Sequence, residues 1–156
     1  MKQRGIGELL GEAPLMAGLA AEHLEVIAGC GTIRAFEAGE RLFKEGEPAD
    51  SFLLLRHGRM ALEIFVPGRG EVTVATIEAG EVAGWSWMVP PFRWHLDVRA
   101  LERGSAVEFD GVCLRGKFDS NPALGYELMK RFATILLERL QATRVQMLDV
   151  YGDVPA

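Results

Sequence analysis

The side chains with the most chemistry to offer crowd into one short stretch. Trp85, Trp87 and Trp94, the chain's three tryptophans, fall within ten residues, alongside Gly84, Ser86, Arg93 and His95. Indoles grouped in this way either line a pocket for a flat or apolar ligand or fill one with hydrophobic bulk. We favour filling. Arg93 offers a planar fork that binds carboxylate or phosphate in bidentate fashion, or else stands as a solvated charge at a strand end. His95 reads first as a hydrogen-bonded structural histidine. A metal would need partners for it, yet His23, His57, Cys30 and Cys113 show no ligand spacing and no His-x-His pair occurs. Neither a metal site nor a catalytic constellation is expected, and the chain reads as a binding module.

Elements must hold these residues in place, and the chain's texture predicts which. Residues 1–30 are rich in Ala, Leu and Gly, with Leu15, Leu19, Leu24 and Ile27 near helical spacing; Pro14 and Gly18 break them into short helices. Residues 31–117 hold short β-forming runs at 32–36, 41–43, 51–56, 59–65, 72–77, 81–83, 96–100 and 105–109, separated by glycine-bearing turns. About eight strands at this spacing predict a mainly β unit with flanking helices, closed or double-sheeted so that few edges are exposed. From 118 to 152 the period changes to 3.6. Asn121 caps and Pro122 opens a long helix, and Gly152 and Pro155 end it. Met129, Ala133, Leu136, Leu140, Thr143, Met147 and Val150 recur at four and three residues, a seam of about three heptads. Phe132, Ile135 and Leu148 lie beside the seam, so the helix is expected to pack on the β unit as well.

Composition sets the outer limits. One chain of 156 residues, 49% hydrophobic and 25% charged, makes a single domain with an ordinary core. Its longest apolar run, Phe52-Leu53-Leu54-Leu55, is far too short to span a bilayer. The charged start gives no secretory leader, so a cytoplasmic protein is expected. A net charge of −5 argues against a surface made to neutralise nucleic-acid phosphates. Cys30 and Cys113 stand far apart without a second pair, so neither a disulfide scaffold nor a Cys-cluster metal site is expected.

One block is more specific. Phe36-Glu37-Ala38-Gly39-Glu40, Leu42-Phe43, Glu45-Gly46-Glu47-Pro48-Ala49-Asp50, Phe52-Leu53-Leu54-Leu55, Gly58 and Met60 resemble the cyclic-nucleotide-binding domain of catabolite-activator-type regulators. The resemblance covers nearly all of residues 10–151. It implies an eight-stranded jelly roll, short N-terminal helices and a long C-terminal helix that dimerises. In that family a Gly-Glu pair and an Arg hold the ribose and the cyclic phosphate. Two registers compete here. One makes Glu81 and Arg93 the partners; the favoured one puts Gly84 on the family glycine, Trp85 on the Glu, Trp94 on the Arg and His95 on a small polar position. Resemblance also suggests that Thr143 offers a hydroxyl to a base across a dimer.

The reading that follows is a homodimeric, non-enzymatic sensor or regulatory module with a diverged pocket. No cofactor is assigned; the ligand would be a cyclic nucleotide or another small molecule. Ordinary binding of cyclic AMP or cyclic GMP is the alternative. Only Asp153-Val154-Pro155-Ala156 follow the helix, so a stand-alone domain without direct DNA contact is expected, with a protein partner as a further possibility.

Overall fold

In the computed structural model, residues 5–152 are described. They form α1 (Ile6–Glu12), a 3-10 turn (Pro14–Met16), α2 (Ala21–Gly29), β1 (Gly31–Phe36), β2 (Arg41–Phe43), β3 (Ser51–His57), β4 (Met60–Val66) and β5 (Gly70–Ile77). After them come β6 (Val82–Ala83), a second 3-10 turn (Ser86–Met88), β7 (Asp97–Ala100), β8 (Gly104–Asp110), α3 (Gly111–Ser120) and α4 (Pro122–Gly152). Every expected strand is present, with ends shifted by two residues or fewer. The eight strands form two antiparallel four-stranded sheets, ordered β1-β8-β3-β6 and β2-β7-β4-β5. Buried residues of both sheets, among them Phe52, Leu53, Met60, Leu62, Val98 and Val107, join one hydrophobic cluster.

The N-terminal helices close one side of this cluster. Leu10, Leu15, Leu19 and Ile27 are buried in it, and Leu24 packs against it. At the other end α4 starts as expected, with the Asn121 side-chain oxygen accepting from the Leu124 amide at 3.3 Å. Its first three turns bury Leu124, Leu128 and Phe132 at intervals of four. From Leu140 to Asp149 every residue is exposed. Side chains from Val150 onward, and Pro155 with the rest of the tail, lie outside the described residues.

Two features differ from expectation. Residues 111–120 form a separate helix, α3, inside the stretch assigned mostly to the β unit. Its cause is local: the Asp110 carboxylate caps it by accepting from the Cys113 amide at 3.0 Å. The second correction concerns the cysteines. Cys30 and Cys113 form a disulfide with Cα atoms 6.0 Å apart, although 83 residues separate them in sequence. Pairing of Gly31 with Phe109 brings the ends of β1 and β8 together, and the Asp110 amide donates to the Cys30 carbonyl at 2.8 Å. The first turn of α3 then carries Cys113 back over Cys30. A lone pair of distant cysteines gives no sequence sign of this meeting, because it depends on strand register.

The second sheet is also tied on its outer face. Glu63 on β4 is 2% exposed and accepts both prongs of Arg99 on β7, at 2.8 Å each. The Arg99 fork holds the Glu63 carboxyl below its ordinary pKa against the opposing effect of burial. This bond fixes the β4–β7 register from which Leu62 and Val98 face inward. Among the described residues, no helix is long and apolar enough to cross a membrane.

Candidate functional site

Chain geometry at the end of β6 builds the site. β6 pairs with Leu53 and Leu54 of β3, then leaves through Gly84 at φ 100°. Only glycine fits there. A Cβ would stand 2.7 Å from Cη2 of Trp94 and 3.3 Å from Cε2 of Phe43, besides the unfavourable positive φ.

Trp94 reaches Gly84 because its backbone is pinned. The Trp94 amide donates to the Glu47 carbonyl at 3.0 Å, and the Gly46 amide donates to the Trp94 carbonyl at 2.9 Å. Alternation along this extended segment sends Trp94 inward and leaves Arg93 and His95 exposed. The Trp94 indole is 6% exposed and stacks on Phe43, with ring centroids 4.1 Å apart. What remains is a cavity of about 30 Å³ beside Leu62, Gly84, Trp85, Ser86 and Trp94. That is about the volume of one water, against about 300–1,000 Å³ for small-molecule sites.

The neighbouring residues divide by direction. Ser86 and His95 meet at the rim, Oγ to Nδ1 at 3.2 Å. Arg93 points away and donates to the Gly46 carbonyl at 3.4 Å. No guanidinium enters the cavity, so there is nothing inside it to pair with a phosphate. Glu81 sits apart, in the turn before β6, where its carboxylate accepts from the Glu78 amide at 2.8 Å.

The three tryptophans therefore do three different things. Trp87 belongs to the core: it is fully buried, stacks on Phe52 at 4.9 Å and meets Phe132 of α4 edge-on at 5.6 Å. Its carbonyl accepts from Arg115 of α3, whose guanidinium also covers the Phe92 ring at 4.1 Å. Trp85 is half-buried and lies beneath the guanidinium of Arg139 on α4, 5.2 Å away. Filling by all three indoles was the expectation; one indole fills the space beside Gly84. A 3-10 turn rather than a strand separates Trp85 from Trp87 and turns the two rings to different neighbours.

Sequence reasoning missed Phe43, Arg115 and Arg139. Phe43 stood in the block quoted for the resemblance, but only strand pairing reveals it beneath Trp94. Thr143 is exposed on the outer stretch of α4, its hydroxyl donating to the Arg139 carbonyl at 2.9 Å. On the same helix Met129, Ala133, Leu136, Leu140 and Met147 are all exposed, whereas the residues packed on the β unit are Leu124, Leu128, Phe132 and Ile135. Seam and core face are thus separate sides of α4. Among the described residues, no group of three His, Cys, Asp or Glu side chains could hold a metal.

Known proteins match this architecture. The family model for the cyclic nucleotide-binding domain matches residues 33–121, more than half of the chain. A candidate cyclic nucleotide-binding protein from Geobacter metallireducens GS-15 superposes with a TM-score of 0.77 at 30% identity, over 88% of this chain and 99% of that one. Thermus thermophilus catabolite activator protein superposes with a TM-score of 0.70 at 21% identity, over 90% of this chain and 63% of that one. Among curated proteins, Glutaminase 1 of Bradyrhizobium diazoefficiens is 30% identical over 131 residues, 84% of this chain. This chain spans about a fifth of that protein's length, 21%. Two antiparallel sheets, a long terminal helix, the family model and these superpositions agree: the chain belongs to the cyclic nucleotide-binding domain family, with a fold of the catabolite-activator type.

Proposed function

We propose that the chain is a non-enzymatic regulatory module, a jelly roll dimerised through α4, whose nucleotide pocket is filled by its own Trp94. The observation that carries this reading is the Trp94 indole seated against Gly84, with about 30 Å³ left beside it. In the favoured register Trp85 and Trp94 replace the Glu and Arg that would hold ribose and phosphate. Each lost charge-assisted hydrogen bond costs about 1.5–3 kcal/mol. Together they weaken a cyclic nucleotide by about 10²–10⁴-fold. Filling the space costs it further.

Dimerisation rests on the exposed seam. Leu136 and Leu140 are 37% and 47% exposed, Met147 is 51%, and Leu137 beside them is 63%. A second copy of α4 would cover this row by heptad packing. The likeness to about a fifth of a much longer protein supports a module that serves other domains, so a protein partner belongs to the reading. The net charge of −5 supports no direct contact with DNA. In the cytoplasm, where we place the module, reducing conditions would hold Cys30 and Cys113 as thiols; the six paired positions of β1 and β8 include neither cysteine.

Titration calorimetry with cyclic AMP and cyclic GMP tests the proposal. No saturable heat is expected from either nucleotide up to about 1 mM, the weak limit at which binding is worth about 4 kcal/mol. A low-micromolar constant would overturn it and restore ordinary nucleotide binding through Arg93 or Glu81.

A further inference from the structure

Away from the filled pocket, a cavity of about 650 Å³ opens between α4, the Pro14–Met16 turn and the chain entering β6. It shares no lining residue with the small cavity beside Gly84, and its volume falls within the range of small-molecule sites. Leu15, Val82 and Ile135 supply apolar wall. Arg131 fixes that wall by donating to the Leu15 and Ala17 carbonyls at 2.8 and 2.6 Å.

Arg139 is the group left over. Its Nε, like that of Arg131, is buried without a hydrogen-bond partner, and its guanidinium carbon stands 5.2 Å from the centre of the Trp85 ring. Burial pulls its pKa below the usual guanidinium value, opposed only by the charge of Glu81. A buried donor without an acceptor is costly, and an anionic oxygen would relieve that cost. Glu81 and Glu138 also line the cavity, but both are exposed. Two solvated carboxylates at the rim repel a polyanion more than a single charge.

We propose that this groove binds a monoanionic amphiphile: an aliphatic carboxylate whose head group pairs with Arg139 and whose chain lies along Leu15, Val82 and Ile135. Dimerisation leaves the site open. At about 100° per residue, Arg131, Glu138 and Ala142 stand about half a turn of helix from Met129, Leu136, Leu140 and Met147. Most of the α4 wall of the groove therefore faces away from the seam, and Arg139 stands between the two, about a quarter turn of helix from the seam.

Calorimetry with sodium octanoate, and with octanol as the uncharged probe, tests this on the whole chain. Octanoate should bind saturably, one per chain, and at least tenfold more tightly than octanol. Arg139→Gln should weaken octanoate at least tenfold. Ala142→Trp, at an exposed position that lines the groove, should block both probes while circular dichroism stays that of wild type. Absence of saturable octanoate binding would overturn the proposal. So would equal affinity for octanol, or unchanged octanoate binding in both variants.

Discussion

The interior beside Gly84 and the outer half of α4 are both rich in apolar side chains, and they mean opposite things. Beside Gly84, Trp94 is covered: Phe43 stacks on one face, the glycine backbone meets its edge, and 6% of it is exposed. On α4, Leu140 and Leu137 are 47% and 63% exposed, left uncovered by the described residues. One region is finished within the chain, whereas the other is the face that the proposed dimer would cover. An apolar residue alone does not distinguish core from interface; what covers it does.

The contrast can be broken most sharply at the seam. Leu140→Glu places an unpaired charge in the proposed interface, at a cost of about 3–5 kcal/mol per buried charge. Light scattering should show a folded monomer where wild type is a dimer, with the dimer weakened at least a hundredfold. A variant that stays dimeric would move the interface off this face.

A smaller effect belongs to the disulfide that ties the end of α2 to α3. Reducing the Cys30–Cys113 disulfide, or replacing Cys30 by Ser, should lower stability by about 2–4 kcal/mol, because the bridge closes a long loop in the unfolded chain. Urea unfolding with and without dithiothreitol measures it. Oligomeric state should not change, since neither cysteine belongs to the α4 seam.

The smallest expected effect sits on the outer face of the second sheet. Arg99→Met leaves the Glu63 carboxylate buried without its fork and should cost about 1–3 kcal/mol at neutral pH. The pH dependence has a definite sign. Arg99 lowers the native pKa of Glu63, so the unfolded chain takes up the proton first as pH falls. The ion pair's contribution is whole above the unfolded carboxyl pKa and is lost as pH falls through the lower native value. Unfolding curves across the acid range should therefore show a shallower acid limb in Arg99→Met than in wild type.

How much of this was legible in the sequence depends on range. Strand positions were, because glycine turns and β-forming runs are local signals, and each expected strand is present. The α4 start was too, since Asn121 and Pro122 carry their own capping chemistry. The seam was legible as a spacing, and its separation from the Leu124-Leu128-Phe132 face needed the packed helix. Register counting against the resemblance put Gly84 on the family glycine and Trp94 on the Arg position, and the packing of that indole on Gly84 needed the folded chain. The division of labour among Trp85, Trp87 and Trp94 was not legible, because a single 3-10 turn redirects two of the rings. The Cys30–Cys113 contact was invisible because it follows from pairing Gly31 with Phe109, a long-range fact. Phe43 under Trp94 and Arg139 over Trp85 are likewise contacts between distant segments.

The central claim is that Trp94 fills the space a nucleotide would need, and its removal tests that most directly. Trp94→Ala should destabilise the protein by about 3–5 kcal/mol in chemical denaturation, the cost of emptying a packed indole site. It should also create an apolar cavity that takes free indole, so added indole should raise the melting temperature of the variant and leave wild type unchanged. A Trp94→Ala protein as stable as wild type and indifferent to indole would show that the ring fills nothing, and would contradict the account.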